Sequence, residues 1–253
     1  MAYKPTRRDV LKASAVSALG LTMGAHAFGN PRKTSDKVRY ACVGIGGKGR
    51  SNLESALNHG ELVAICDADI DRLVAGLQEF PKAAAFSDYR EMIDNMEDSI
   101  DAVVVSTPDH NHACAAAMAI RRGKHVYVEK PLSRTISEAR KLASLAKENG
   151  VQSQMGNQGT ASTNLRKVAA VVQSGQLGDV KEIYCWTDRA AGWWPQGVDR
   201  PASKPKPKNL NWDAWLGPAP FREYADGYHP FAWRGWWDFG SGALGDMGCH
   251  VIN

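Results

Sequence analysis

The stretch VGIGGKGRSNL, residues 43–53, decides how this chain folds. An apolar run, VRYACV at 38–43, leads directly into Gly44, Gly46 and Gly49 in G-x-G-x-x-G spacing, and a helical pattern follows. The first glycine permits a tight turn, the second lets the backbone approach a pyrophosphate, and the third lets helix and strand pack closely. The helix start offers unpaired N–H groups and a positive dipole end to phosphate. Gly44, Ile45, Gly46 and Gly49 are therefore candidate contacts for a dinucleotide. The spacing alone is weak evidence, but Asp67 ends the next apolar run, 18 residues after Gly49. An acid there accepts hydrogen bonds from ribose hydroxyls and repels a 2′-phosphate, which favours NAD over NADP. Asp69 is the weaker candidate for the same role.

Working outward, short apolar runs alternate with amphipathic segments. ELVAICD (61–67), AAAFS (83–87), DAVVVSTP (101–108), HVYVEKP (125–131) and VQSQMGN (151–157) read as strands after the first. Helices are expected between them: 49–60, IDRLVAGLQEF, DYREMIDN, HACAAAMAIRRG, and SEARKLASLAKENG with Ser137 as its N-cap. Six strands joined by crossovers of helical length imply an α/β fold, a Rossmann-type doubly wound parallel sheet. Ligands of such sheets bind beyond the carboxyl ends of the strands. Thr107 and Pro108 lie at that edge, and His112 is placed to cap the next helix or touch a cofactor. No metal is expected at His110 and His112. Glu129 and Lys130 end the fifth strand at the same edge. Pro131 holds Lys130 away from helical angles, which fixes where its side chain points.

Past about Gly156 the composition changes. All eight tryptophans lie between Trp186 and Trp237, and PQGVDRPASKPKPKNL (195–210) reads as a long surface loop. One further strand, DVKEIYCWTDR at 179–189, and a closing helix from GDMGCHVIN are expected. If that last segment is helical, Asp246 and His250 share a face, four residues apart. A carboxylate and an imidazole so placed can position a hydroxyl and take its proton. About 95 residues with one clear strand are thin for a closed core, so the chain reads as the front part of a longer protein.

The first 27 residues resemble a twin-arginine export signal: Arg7-Arg8, a weakly apolar run, then Ala25-His26-Ala27 as a cleavage pattern. A periplasmic location is the expectation. The formal charge of +4 falls to +1 without this segment, so the body carries no nucleic-acid footprint, and the apolar run is too short for a membrane span. No two of the five cysteines are closer than 24 residues, and they read as small apolar residues rather than a disulfide frame.

VGIGGKG, STPDHNHACAAAMAIRRGKHVYVEKPLS and GALGDMGCH together resemble the glucose-fructose oxidoreductase / inositol dehydrogenase (Gfo/Idh/MocA) family. The resemblance implies a Rossmann domain followed by an α/β domain with an open, mostly antiparallel sheet that completes the active site and often mediates oligomers. The expected division is 1–27 signal, 36–156 NAD-binding domain and 157–253 an incomplete substrate and oligomerisation domain. By resemblance Lys130, Asp246 and His250 are catalytic. The implied reaction is hydride transfer between a sugar or polyol hydroxyl and a tightly held NAD(H). His250 would accept the hydroxyl proton, and Lys130 would stabilise alkoxide character. Two alternatives stay open: a glycosidase acting by transient oxidation and elimination, and a non-catalytic NAD-binding sensor.

Overall fold

The computed structural model describes residues 37–252, so the segment read as an export signal lies outside the described residues. Six strands form one parallel sheet in the order β3-β2-β1-β4-β5-β6: β1 Val38–Val43, β2 Gly60–Cys66, β3 Ala84–Phe86, β4 Ala102–Val105, β5 His125–Glu129 and β6 Ser153–Gly156. Four of the five neighbouring pairs are consecutive in sequence and only β1-β4 is not, and every parallel pair is joined by a crossover, supplied here by helices. These are α1 Lys48–Ala56, α2 Ile70–Glu79, α3 Tyr89–Asn95, α4 Asp109–Arg121 and α5 Ile136–Glu148.

Side chains alternate across each strand, and both faces are covered. Ala41 and Val43 of β1 join Val103, Val105, Val126 and Val128 in one core. Tyr40 and Cys42 join Ile65, Leu53 and Leu73 in the other. Each fully buried Val or Ile contributes about 1.5–3 kcal/mol relative to exposure, which is why these runs are apolar throughout.

Two helix starts differ from the sequence reading. α4 begins at Asp109 after Pro108, so His112 lies inside it rather than at its cap. α5 is capped by Thr135, not Ser137: Thr135 Oγ1 accepts from the Glu138 N–H (3.2 Å), and Glu138 Oε2 accepts from the Thr135 N–H (2.9 Å). This reciprocal pair satisfies two end donors where one serine would satisfy one. All five cysteines are free; Cys42 and Cys66 are buried in the sheet, and Cys185 is exposed.

Beyond β6 the described residues contain no further strand. The expected strand at 179–189 is not formed, because no neighbouring strand is there to take its N–H and C=O groups. Its apolar side chains Val180, Ile183, Tyr184 and Trp186 are exposed, as are Leu165, Val168, Val171 and Val172 of α6 (Thr163–Gln173). The 195–210 loop carries no helix, and its one contact of strand type is a single bridge from Leu210 to Asp69. From there to Phe239 the chain builds a third core of Trp212, Trp215, Tyr228, Trp233, Trp236 and Phe239. Short helix α7 (Trp212–Leu216), capped by Asn211, stacks Trp212 on Trp215 at 4.8 Å. The chain closes with α8, Gly242–Val251. No described helix is long and apolar enough to cross a membrane.

Candidate functional site: a cleft at the carboxyl edge of the sheet

The aromatic core leans on the loops that follow the strands. The Ile70 N–H donates to Asn209 O and the Asn211 N–H to Ala68 O, both at 2.8 Å. His110 is the main pin. Its backbone N–H donates to Phe239 O, and its ring nitrogens lie 2.9 Å from Trp215 O and 3.2 Å from Phe239 O. Burial lowers its pKa to about 4, so the ring is neutral at physiological pH. Between sheet edge and aromatic core lies a cleft. Its floor includes Gly44, Gly46, Asp67, Thr107, Pro108, His112, Glu129 and Lys130, and its roof includes Trp215, His229, Trp233 and Arg234.

The glycine turn is built as its spacing requires. Gly44 has φ +79°, and a Cβ there would lie 2.6 Å from Ser106 O. A Cβ on Gly49 would overlap the Gly44 carbonyl oxygen, so this glycine serves close packing rather than the cleft surface. Ile45 likewise turns its side chain into the core, while its N–H donates to Asp67 Oδ2 at 2.9 Å. Asp67 Oδ1 accepts from the Asp69 N–H at 3.0 Å. Asp69 is committed elsewhere: its carboxylate holds Asn209 and His229, the latter at 3.0 Å. Burial, the main cause, lowers the His229 pKa.

His112 is buried and ties two strand-end loops together, its ring nitrogens 2.7 Å from Thr107 O and from Pro131 O. Glu129 is buried as an anchor. It accepts from Asn52 (2.9 Å), Gln158 (2.5 Å) and the Lys130 N–H (3.2 Å). The Lys130–Pro131 peptide is cis. The Lys130 ammonium crosses the cleft to α8, donating to Asp246 Oδ1 at 2.8 Å and to Asp246 O at 2.9 Å. Sequence positions 116 residues apart thus meet across the cleft. Asp246 makes this pair rather than a bond to His250. His250 stands one turn further along α8, exposed overall and outside the cleft lining. Partial burial and then the Lys130 charge lower its pKa, which keeps the imidazole neutral and able to accept a proton.

Two charged residues here were not singled out in the sequence. Asp109 is buried, accepts from Ser241 Oγ at 2.7 Å, and has its pKa raised chiefly by burial. Arg234 places Nε 3.5 Å from the same Asp246 oxygen that Lys130 uses, and packs its guanidinium 4.2 Å from the Trp233 ring centre. Burial lowers its pKa. Asp109 stood inside a quoted motif, with nothing local to mark it. Arg234 becomes visible only when α8 and the sheet edge meet.

The residues fit a dinucleotide. Gly44 and Gly46 put no side chain of their own into the cleft, Asp67 ends β2 beside them, and the buried Thr107 hydroxyl has no protein partner among the described residues. This is the architecture of an NAD-binding Rossmann fold. The chain belongs to the Gfo/Idh/MocA oxidoreductase family: the family model described as "Oxidoreductase family, NAD-binding Rossmann fold" matches residues 38–157, and that for its "C-terminal alpha/beta domain" matches 161–253. A glycosyl hydrolase family 109 protein of Solibacter usitatus is 34% identical over 157 residues, covering 55% of this chain and 36% of that protein. An alpha-N-acetylgalactosaminidase of Shewanella oneidensis is 34% identical over 161 residues, covering 52% and 35%. Among solved structures, an inositol dehydrogenase homologue from Azotobacter vinelandii complexed with NADH and myo-inositol is 27% identical. Its TM-score is 0.52 over 58% of this chain and 42% of that one. Myo-inositol 2-dehydrogenase from Lactobacillus plantarum is 26% identical, with a TM-score of 0.53 over 57% and 43%. The chain spans about a third of the length of these two curated relatives.

Proposed function

We propose that this protein oxidises a CH–OH group of a sugar or polyol, with NAD held in the cleft. The observation that carries the reading is the Lys130 ammonium in the same cleft as the glycine turn and Asp67, held by Asp246. When bound, NAD supplies the hydride acceptor. Lys130 offers positive charge where alkoxide character develops on the substrate oxygen. Asp246 holds that ammonium in place and offsets part of the charge of the two cations it faces, Lys130 and Arg234. His250, kept neutral by partial burial and by the neighbouring ammonium, would turn from the exposed face of α8 toward the cleft to receive the hydroxyl proton. Residues 157–253 would contribute to substrate binding and self-association.

Trp215 and Trp233 in the roof, with the His229–Asp69 contact, support a cofactor that leaves slowly. Export through the twin-arginine route to the periplasm would require such retention, since a cofactor carried out in the folded protein must be reoxidised in place. The experiment is gel filtration followed by incubation with a panel of sugars while reduced-nicotinamide absorbance is recorded. Retained nucleotide and a sugar-dependent signal are expected, and Lys130→Met should lower turnover about 10²–10³-fold. Cofactor that washes out, with activity restored only by added NAD, would sink the retained-cofactor reading. An unchanged ligand response in Lys130→Met would favour the sensor.

A second reading has a specific observation in its favour: the two curated relatives above are named for glycoside hydrolysis. Transient oxidation of a ring carbon acidifies the neighbouring C–H and permits elimination at the glycosidic bond. Release of free sugar from an aryl N-acetylgalactosaminide, with no net reduced nicotinamide, would select this reading over simple dehydrogenation.

A further inference from the structure

The helix that carries Asp246 and His250 is not held by packing. None of the residues of α8 is buried, and three of its ten are glycines, which favour a helix least after proline. Most helices are placed by burying an apolar face, so α8 depends on polar ties instead. Near its end Cys249 O accepts from the Asn157 amide. In its middle Asp246 accepts from Lys130. At its start stands Ser241 in the N-cap position, where a hydroxyl ordinarily accepts from an N–H of the first turn. Ser241 makes no such bond. Its Oγ lies 2.7 Å from Asp109 Oδ2, to which it donates across 132 residues of sequence. The Ala243 N–H turns to Gln196 Oε1 at 2.9 Å instead.

Asp109 gives that tie a fixed anchor. It opens α4 directly after Pro108, at the carboxyl edge of the sheet, and is 4% exposed. α4 itself is seated by Ala113, Ala116 and Ile120 in the core. A serine that leaves its own helix uncapped gives up local helix stability. What the bond provides is a place for the helix rather than a stronger helix. Asp246 lies little more than one turn beyond Ser241, so the start of α8 and the contact with Lys130 move together.

We propose that Asp109 is a positioning residue: through Ser241 it docks the start of α8 on the sheet edge and so holds Asp246 against the Lys130 ammonium. The inference rests on the reading of Lys130 as the group that faces the substrate oxygen. The Lys130 side chain is 15% exposed and bonded to Asp246, so its amine reacts with an acylating reagent chiefly when that contact opens. Limiting acetic anhydride is applied to the wild type and four variants, and acetylation at Lys130 is followed by peptide mass spectrometry. The exposed Lys141 of α5 is the internal reference. Ser241→Ala and Asp109→Leu should each raise the Lys130 rate about three- to tenfold, the worth of one hydrogen bond, and leave Lys141 unchanged. Ser241→Thr and Asp109→Asn keep the donor and the acceptor and should restore the wild-type rate. Thermal melting checks that each variant folds. If Asp109→Leu does not, Ser241→Ala decides the question, because it removes only a hydroxyl. A Lys130 rate in Ser241→Ala that stays within about twofold of wild type would overturn the proposal, being less than one hydrogen bond is worth. So would Asp109→Asn as reactive as Asp109→Leu, since charge rather than the bond would then hold the helix. Equal gains at Lys130 and Lys141 would mean general loosening and would overturn it too. NADH binding, read by energy transfer from Trp215 and Trp233, is measured on the same samples. A wild type that refuses NADH would sink the coenzyme reading, while the Lys130 rates would still decide the docking of α8.

Discussion

The sheet at 38–156 and the aromatic segment at 209–239 are both well packed, but they reach their cores by opposite routes. The sheet buries alternate residues of consecutive strands on its two faces, so each element finds its partner within a short crossover. The aromatic segment has one five-residue helix and one short 3₁₀ turn, and beyond these local bonds its backbone is tied to the sheet at Asn209–Ile70, Asn211–Ala68 and Phe239–His110. One region is held by periodicity, the other by anchorage. Between them, α6 buries no residue, and 178–187 carries no regular structure. Close packing in the second half is thus concentrated where the aromatic core meets the strand-end loops, and the cleft lies along that contact.

The largest expected effect attacks the anchorage. Phe239 is fully buried among Trp215, Tyr228 and Trp212, and its carbonyl accepts from the His110 N–H. Phe239→Ala should cost about 3–5 kcal/mol of the stability of that core. Tryptophan fluorescence should then report an early transition while amide-exchange protection in β1 and β4 persists. Simultaneous loss of both signals would break the distinction between the two regions.

A titration tests the same pin more gently. The His110 imidazole is protonated near 6.5 when unfolded and near 4 in the native protein. Between those values the unfolded chain binds more protons, so stability falls as pH drops from about 6.5 to about 4 and levels off below. The loss is about 3 kcal/mol for this single group. Urea midpoints from pH 7 to 4 should slope less steeply in His110→Asn than in the wild type; equal slopes would remove His110 as the acid-sensitive contact.

The contrast also explains what could be read in advance. The six strands, the glycine turn and Asp67 were legible because short apolar runs, G-x-G-x-x-G spacing and a strand-end acid leave local marks. Lys130 and Asp246 could be singled out, yet their 2.8 Å contact belongs to the fold, not to either stretch of sequence. Arg234 and His229 left no local mark, because each gains its meaning from a partner outside its own segment. The strand expected at 179–189 has the right composition and no partner to pair with. Pattern predicts a strand, but only a neighbour makes one.

On the periodic side, Gly49→Ala probes how tightly α1 is seated. Its new methyl group would meet the Gly44 carbonyl oxygen, at the junction of β1, the glycine turn and α1. The expected cost is about 1–3 kcal/mol, with a smaller upward shift of the melting temperature on adding NADH than in the wild type. A variant that keeps both wild-type stability and the full NADH shift would mean the turn is looser than its geometry.

The smallest effect is expected where neither route to a core operates. Trp186 is 82% exposed, while Trp215, in the same half of the chain, is 4% exposed. Composition treats the two alike, and the physical difference is whether a strand-end loop lies beneath the ring. Trp186→Ser should change stability by no more than about 0.5 kcal/mol, the range of surface substitutions that break no contact. A loss above about 2 kcal/mol on urea unfolding would mean that Trp186 is buried in solution, with residues 178–187 paired in a sheet after all, and anchorage to the strand ends would no longer account for order in the second half.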